Sequence, residues 1–127
     1  MSLIVREAGF ADISWASCLI FRFEGPEGRR PSELASSVQM SKQAVNDCLR
    51  LLEDRGYLTR TSAPEDRRAR IIRLTAKGER LQEVVRAAGR QVEQEWTEAI
   101  GEPDWSAFTR VLDRLAAAAL HADDDPR

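Results

Sequence analysis

The length, composition and charge of the chain exclude several classes of protein. The chain has 127 residues, 43% of them hydrophobic and 31% charged, which predicts one folded domain, residues 1–127, and excludes intrinsic disorder as the default. No apolar run approaches the roughly 20 residues that a membrane span requires, and no apolar signal segment is visible. We therefore expect a cytoplasmic protein that has no contact with a membrane.

The net charge of −2 hides an uneven distribution along the chain. Residues 41–80 carry ten Lys and Arg side chains against six Asp and Glu, whereas residues 1–40 and 81–127 have balances of −1 and −5. A basic centre within an acidic chain is typical of a single surface for an anionic partner. Nucleic acid is the first partner to consider.

Helical patterns dominate the first half of the sequence. Residues 12–23 are apolar on most sides, which predicts a buried helix. A second, short helix is predicted to begin at Pro31, because proline suits a first helical turn and apolar residues then recur at three- and four-residue steps. A third helix is predicted between Ser41, a good N-cap residue, and Gly56, a good C-terminal stop.

The third helix is predicted to be amphipathic. Its apolar side contains Ala44, Val45, Cys48, Leu49, Leu51 and Leu52, and its polar side contains Gln43, Asn46, Asp47 and Arg50. Such polar side chains can form hydrogen bonds with base edges in a major groove. Any surface helix shows a polar face, however, so this face by itself favours an ordinary solvated surface.

A β-hairpin is predicted after the third helix. The runs 57–61 and 71–75 are β-prone and enclose a polar loop, and the basic residues of this region are Arg67, Arg68, Arg70 and Arg73. The predicted elements follow the order of a winged helix-turn-helix, which is a short helix, a turn, a polar-faced helix and a basic hairpin. In that order the helix N-terminus can meet a phosphate, its face can read bases, and the hairpin tip can contact the backbone or a minor groove.

Two further helices are predicted to complete a mostly α fold with a small β hairpin. Thr75 caps a long helix that Gly101 and Pro103 end, and a last helix follows from about residue 104 to residue 120, before an acidic tail. The apolar stripes contain Leu81, Val84, Val85, Ala88, Val92 and Trp96 on the long helix, and Trp105, Phe108, Leu112, Leu115 and Ala119 on the last. A domain this small cannot cover both stripes, which predicts a homodimer; the alternative is that the two helices cover each other as a hairpin.

We therefore predict a winged helix-turn-helix part at residues 12–78 and helices for dimerisation at residues 79–120. No catalytic residue, metal site or cofactor is predicted, because the single histidine, His121, has no partners at ligand spacing and the glycines form no phosphate-binding loop. Cys18 and Cys48 have apolar neighbours, which favours core packing over a role as oxidation sensors.

Five short motifs match the helix-turn-helix and wing of a known family. They are Leu34-Ala35, Met40-Ser41-Lys42-Gln43-Ala44-Val45, Leu52-Glu53-Asp54-Arg55-Gly56-Tyr57-Leu58, Asp66-Arg67-Arg68-Ala69 and Ile72-Arg73-Leu74-Thr75-Ala76-Lys77-Gly78. With them the chain resembles the MarR family of multiple-antibiotic-resistance repressors over roughly residues 12–120. The resemblance implies a homodimeric regulator that binds double-stranded DNA, most simply as a repressor.

The resemblance also implies roles for individual residues. Arg68 is expected at the wing tip, oriented by Asp66, and a small aromatic effector is expected between the first buried helix near Trp15 and the long helix near Val85. The full set of expected DNA contacts is Ser41, Lys42, Gln43, Asn46, Arg50, Arg67, Arg68 and Arg70.

Three departures from the family pattern bear on these roles. Gln39 stands where the family usually has a turn glycine, which costs about 1 kcal/mol if that position is left-handed. Asp47 adds a carboxylate that repels phosphates but can accept a hydrogen bond from a cytosine amino group. The 11 residues before Asp12 are expected to be too few for the leading helix that helps to build the family's dimer.

Two other classes of function remain open at this point. A protein-interaction module could use the same winged shape without binding DNA, but its interface should then offer exposed aromatic anchors, for which this stretch has only Tyr57. An enzyme with a cofactor between the terminal helices would reveal itself by the colour or bound cofactor of the purified protein.

Overall fold

The computed structural model describes residues 2–22 and 24–123 of the chain. Within these residues the helices are α1 (Ser2–Glu7), α2 (Trp15–Ile20), α3 (Pro31–Val38), α4 (Lys42–Asp54), α5 (Ala76–Ile100) and α6 (Glu102–Asp123), and the strands are β1 (Leu58–Ser62) and β2 (Arg70–Leu74). The predicted fold class is confirmed. None of these helices is both long and apolar enough to cross a bilayer. Most of the predicted acidic tail, residues 124–127, lies outside the described residues.

The chain divides into two compact units, Met1–Gly89 and Arg90–Arg127. The division falls inside α5 and not at residue 79, where the sequence places the start of the C-terminal part. The reason is that Leu81, Val85 and Ala88 are buried in the core of the first unit. That core also includes Val5 of α1, so the short helix at the start of the described chain belongs to the first unit.

The first buried helix is shorter than the sequence predicts. Residues 12–23 were expected to be helical, but α2 begins only at Trp15, because Ser14 is extended and its hydroxyl accepts a hydrogen bond from the amide of Ser17. At the other end, Phe21 is the C-cap residue. Competition from the serine side chain for a backbone amide is the usual reason that a helix begins at such a position.

The helix-turn-helix forms as its capping residues predict. Pro31 occupies the first turn of α3. The Ser41 hydroxyl accepts a hydrogen bond from the amide of Ala44 at 3.1 Å and so caps α4, while Gly56 has a φ of 79° just beyond the end of α4. Each of these features depends on a few neighbouring residues, which is why the sequence alone predicted them.

The hairpin pairs antiparallel with Leu58 opposite Leu74 and Ser62 opposite Arg70. The other edge of β2 is also occupied, because Gly28 and Arg29 exchange main-chain hydrogen bonds with Ile72 at 2.7 and 3.0 Å. The loop before α3 therefore holds the wing against the rest of the first unit.

Gln39, which stands where the family usually has glycine, has an unusual backbone conformation. Its φ of 55° and ψ of 41° place it in the left-handed region, and among the described residues it is the only one other than glycine with a positive φ. The side chain of glutamine makes this conformation unfavourable. The amide of Met40 nevertheless reaches the carbonyl of Ala35 at 3.2 Å, which completes the turn.

Gln39→Gly is expected to raise the free energy of unfolding by about 1 kcal/mol, because glycine adopts the left-handed region without steric cost. Part of this gain is offset by the greater freedom of glycine in the unfolded chain. Urea denaturation measures the difference, and Gln39→Ala is the matched control, since alanine removes the same polar group and keeps the Cβ. Equal stability of the two variants would contradict the left-handed conformation.

Tyr57 joins the chain before α2 to the end of α4. Its side chain is only 1% exposed, and its hydroxyl donates a hydrogen bond to Oδ1 of Asp12 at 2.7 Å. The Nζ atom of Lys77 lies 4.2 Å from the centre of its ring. Burial, followed by the hydrogen bond and the negative charge of Asp12, raises the pKa of Tyr57 to about 12.

Because Tyr57 is the only tyrosine of the chain, the near-ultraviolet absorbance of tyrosinate reports its ionisation alone. We expect a midpoint near pH 12 in the folded protein and near pH 10 in urea. The folded state therefore holds the phenolic proton more tightly, so the stability from this group is fully present below pH 10 and is lost as the pH rises towards 12. Tyr57→Phe should remove this part of the pH dependence, and a midpoint near pH 10 in the folded protein would contradict the burial.

The second unit contains the end of α5 and the whole of α6. Gly101, with a φ of 89°, separates the two helices, but Pro103 lies inside the first turn of α6 and not between the helices as predicted, since a first turn does not need its amide. The rings of Trp96 and Phe108 each lie 5.8 Å from that of Trp105. The helices thus meet at this end, as the hairpin alternative requires.

Most of the predicted apolar stripe of α6 is nevertheless uncovered in a single chain. Leu112 is 50% exposed and Leu115 is 63% exposed. Trp96 and Phe108 are also more than half exposed despite their contacts with Trp105. Contact between the two helices therefore does not bury the predicted stripe of α6.

Candidate nucleic-acid interface

The polar face of α4 is open to solvent. Lys42, Gln43, Asp47 and Arg50 are exposed, and Asn46 is half-buried. The opposite side packs into the core through Val45, Leu49 and Leu52. One expected member of the apolar side, Leu51, is instead 39% exposed, because it lies at the edge of the buried stripe.

Ser41 stands at the start of this face. Its oxygen accepts the capping hydrogen bond from Ala44, which leaves the hydroxyl proton available to an anion. The free amides of the first helical turn add a partial positive charge at the same place. This arrangement is the one that a phosphate contact at the N-terminus of α4 requires, and the contact itself stays a prediction.

The loop between the two strands presents arginines to solvent. Arg67, Arg68 and Arg70 are all exposed. Asp66 accepts a hydrogen bond from the backbone amide of Arg68 at 2.9 Å, so it orients the chain at Arg68 and not the guanidinium directly. Such an aspartate turn holds the loop in one shape while the arginine side chain stays free to meet a partner.

Arg60, which is not among the predicted site residues, connects α4 to the hairpin. Its Nη1 atom donates to Oδ1 of Asn46 at 3.4 Å, and its Nε atom is 3.6 Å from Oε2 of Glu53. Strand alternation is the signal that could have found it, because Arg60 lies two residues after the buried Leu58 and so on the same side of β1.

A cleft of about 320 Å³ lies where α4 and the hairpin meet. It is lined by Arg50, Glu53, Arg60 and Arg70. Arg70 also donates from Nη1 to the carbonyl oxygen of Arg60 at 3.4 Å. The predicted reading face and the predicted wing therefore form one continuous basic surface, whose cleft contains three arginines and the carboxylate of Glu53, while Asp47 adds a second carboxylate on the face of α4.

The cysteines behave as core residues. Burial raises the pKa of the Cys18 thiol. It also raises the pKa of Cys48, against the opposing effect of a hydrogen bond with Ser17. A raised pKa disfavours the thiolate, which is the reactive form. No cluster of three or more metal-ligating side chains occurs in the described part of the chain; the side chain of His121 lies outside it.

The two residues expected at an effector pocket are placed very differently. Val85 is 1% exposed and belongs to the core, so it cannot line an open pocket in this conformation. Trp15 is 50% exposed at the start of α2. The effector stays a prediction, and of the pair only Trp15 has an accessible side chain.

These elements define a winged helix-turn-helix protein with an exposed polar helix face beside a basic hairpin, and comparison with known proteins identifies the family. The profile of the MarR family matches residues 12–69. An HTH-type transcriptional repressor of Mycobacterium tuberculosis is 34% identical over 104 residues, which cover 79% of this chain and 71% of that protein. The chain belongs to the MarR family of transcriptional regulators.

Solved structures agree with this assignment. A crystal structure of MarR is 26% identical, with a TM-score of 0.75 over 94% of this chain and 82% of that chain. FabT of Streptococcus pneumoniae, solved in complex with DNA, is 21% identical and shares the fold with a TM-score of 0.77, over 93% of this chain and 83% of that one.

Proposed function

We propose that this protein is a cytoplasmic repressor that binds a two-half-site operator in double-stranded DNA through α4 and the wing. The observation that carries the proposal is the continuous basic surface on which Arg50 of α4 and Arg70 of the hairpin line one cleft. The face of α4 supplies amide groups for bases, and the wing supplies guanidinium groups for the phosphate backbone or a minor groove. The DNA-bound relative supports the same use of the fold.

A homodimer is part of the proposal. One winged helix contacts only one half-site, whereas two copies can place their reading helices about one turn of DNA apart. The exposed apolar side chains of α6, such as Leu112 and Leu115, support pairing with a second copy, because exposed stripes of this kind mark interaction surfaces. A small aromatic effector that changes the spacing of the two reading helices would release the operator.

The experiment that tests the proposal is selection of bound sequences from random duplexes, followed by titration at several salt concentrations. We expect a selected operator whose affinity falls by about 1,000-fold or more between about 50 and 200 mM salt, because bound arginines and lysines release counterions. Failure to select any sequence at low salt would contradict the proposal.

Arg68→Ala is expected to weaken binding to selected and unrelated duplexes by the same factor and to lower the salt slope by about one. A wing arginine contributes mainly attraction to the backbone, which carries little sequence information. Arg110→Ala, an exposed arginine of α6, is the control and should leave both quantities unchanged. A loss confined to the selected operator would instead assign Arg68 to base reading.

The alternative of a protein-interaction module loses its main support. It requires an exposed aromatic anchor near the arginines, and the candidate, Tyr57, is only 1% exposed. Competition between an operator duplex and any protein partner for the same surface would distinguish the two functions.

A further inference from the structure

We propose that Asn46 selects adenine in each half-site and that Arg60, held by Glu53, is the positioning residue that fixes the orientation of its amide. This inference rests on the proposed DNA-binding function and adds the base that is read. It also adds two residues, Arg60 and Glu53, that lie outside the expected set of DNA contacts.

Both ends of the Asn46 amide have a partner within the protein. Nδ2 donates to the carbonyl oxygen of Lys42 at 2.9 Å, and Oδ1 accepts from Nη1 of Arg60 at 3.4 Å. A carbonyl can only accept and a guanidinium can only donate, so these two contacts decide which end of the amide is oxygen and which is nitrogen. Nδ2 has two N–H groups and Oδ1 can accept two hydrogen bonds, and each atom uses one of these here. Asn46 therefore keeps one N–H donor and one acceptor position for a base.

One donor beside one acceptor is the pattern that adenine complements. In the major groove adenine offers N7 as an acceptor and its N6 amino group as a donor, and a bidentate contact with asparagine satisfies both. Guanine offers two acceptors, N7 and O6, which would leave Oδ1 of Asn46 facing an acceptor. An amide held in this orientation by its two partners therefore discriminates between these two purines more strongly than a freely rotating one.

Arg60 is more buried than the arginines of the wing. Its side chain is 20% exposed, and its buried Nε atom has no hydrogen-bond partner in the residues that the structure describes but lies 3.6 Å from the Glu53 carboxylate, as an ion pair. Its Nη2 atom is 3.5 Å from the backbone oxygen of Asn46, so the guanidinium contacts the residue that it orients at two points. These contacts direct Arg60 towards α4 and make it a support for Asn46 rather than a phosphate contact.

Gln43 provides an internal comparison on the same face. It is exposed, and no hydrogen bond to its side chain is found among the described residues. Its longer amide remains free to rotate, so it can adapt to more than one base. We therefore expect strict selection at the base that faces Asn46 and looser selection at the base that faces Gln43.

The test compares duplexes selected by the full-length protein and by the variants Asn46→Ala, Arg60→Lys and Glu53→Gln. The unmodified protein should prefer adenine by roughly 10- to 100-fold at one position of each half-site. Asn46→Ala should abolish that preference and leave the other positions unchanged. Arg60→Lys keeps the charge but not the two-point contact, so it should lower the preference at the same position while the salt slope stays constant.

Two further measurements separate positioning from a general structural effect. The double variant of Asn46→Ala and Arg60→Lys should show the same base preference as Asn46→Ala, because residues that act through one another are not additive. Glu53→Gln keeps the shape of the side chain and should weaken the preference without abolishing it, which provides a test even if Arg60→Lys unfolds. Arg110→Lys, at an exposed position of α6 outside the expected DNA contacts, is the control and should leave the adenine preference intact.

The possible failures are distinguishable. A selected operator with no adenine preference, or an Arg60→Lys protein that binds all sequences more weakly with the preference intact, would overturn this inference and leave the proposed function standing. If the unmodified protein selects no duplex at all, the proposed function fails and the inference fails with it.

Discussion

Leu112→Asp and Leu115→Asp together are expected to convert the proposed dimer into a monomer that binds a two-half-site operator about 100-fold more weakly or worse. The two side chains are 50% and 63% exposed in a single chain. In a dimer they would be covered by the partner, where an unpaired carboxylate is costly. Loss of the second half-site then removes the gain in affinity that comes from binding both at once.

Light scattering measures the mass of the protein in solution and so distinguishes dimer from monomer. Titration with one-half-site and two-half-site duplexes measures the loss of affinity. Only the affinity for the longer duplex should fall. The matched control is Ser106→Asp with Ala117→Asp, which adds two carboxylates on the opposite side of α6. A monomer in the unmodified protein at micromolar concentration, or a double Leu variant that stays dimeric with full affinity, would refute the interface.

Gly78→Ala is expected to lower the free energy of unfolding by about 3 kcal/mol or more. A Cβ at this position would overlap the carbonyl oxygen of Tyr57 and would also lie 3.2 Å from Cδ2 of Leu74. The carbonyl cannot move freely, because it accepts a hydrogen bond from the amide of Thr75 at 3.1 Å. Thr75 is itself held by a 2.6 Å hydrogen bond to the carbonyl of Gly56.

Whether Gly78→Ala stabilises or destabilises the protein distinguishes two opposing effects of the added methyl group. Glycine is a poor residue for the interior of a helix, so replacement by alanine would ordinarily stabilise α5 by about 1 kcal/mol. Overpacking against a fixed backbone atom predicts the opposite sign. Urea denaturation of Gly78→Ala measures the change in stability. The control Ala87→Gly, at an exposed position of α5, measures the effect of helix propensity alone. A Gly78→Ala protein more stable than the original would contradict the close approach of α5 to Tyr57.

The hairpin that carries the wing arginines was predicted because β-prone runs surround a polar loop, and both strands lie within one residue of the expected positions. The role of these arginines in binding DNA stays a prediction until the salt and selection experiments are made. The pairing of α4 with the wing was implied by the order of the elements, but its contacts were not.

Features that depend on neighbouring residues could be predicted without the structure. Ser41 caps α4 through an amide three residues away, and Gly56 ends the helix by its own backbone freedom. The fold class, the order of the elements and the exposed polar face of α4 all follow from periodicity and caps of this kind, because the forces involved act within one or two helical turns.

Features that join distant parts of the chain depend on packing and could not be predicted from local patterns. Asn46 meets Arg60 from 14 residues away, and Tyr57 meets Asp12 from 45 residues away. The need for glycine at position 78 likewise arises from a carbonyl in another element. Propensity and periodicity carry no information about which side chains packing brings together, so the support for the reading face became visible only when α4 and the hairpin were seen in contact.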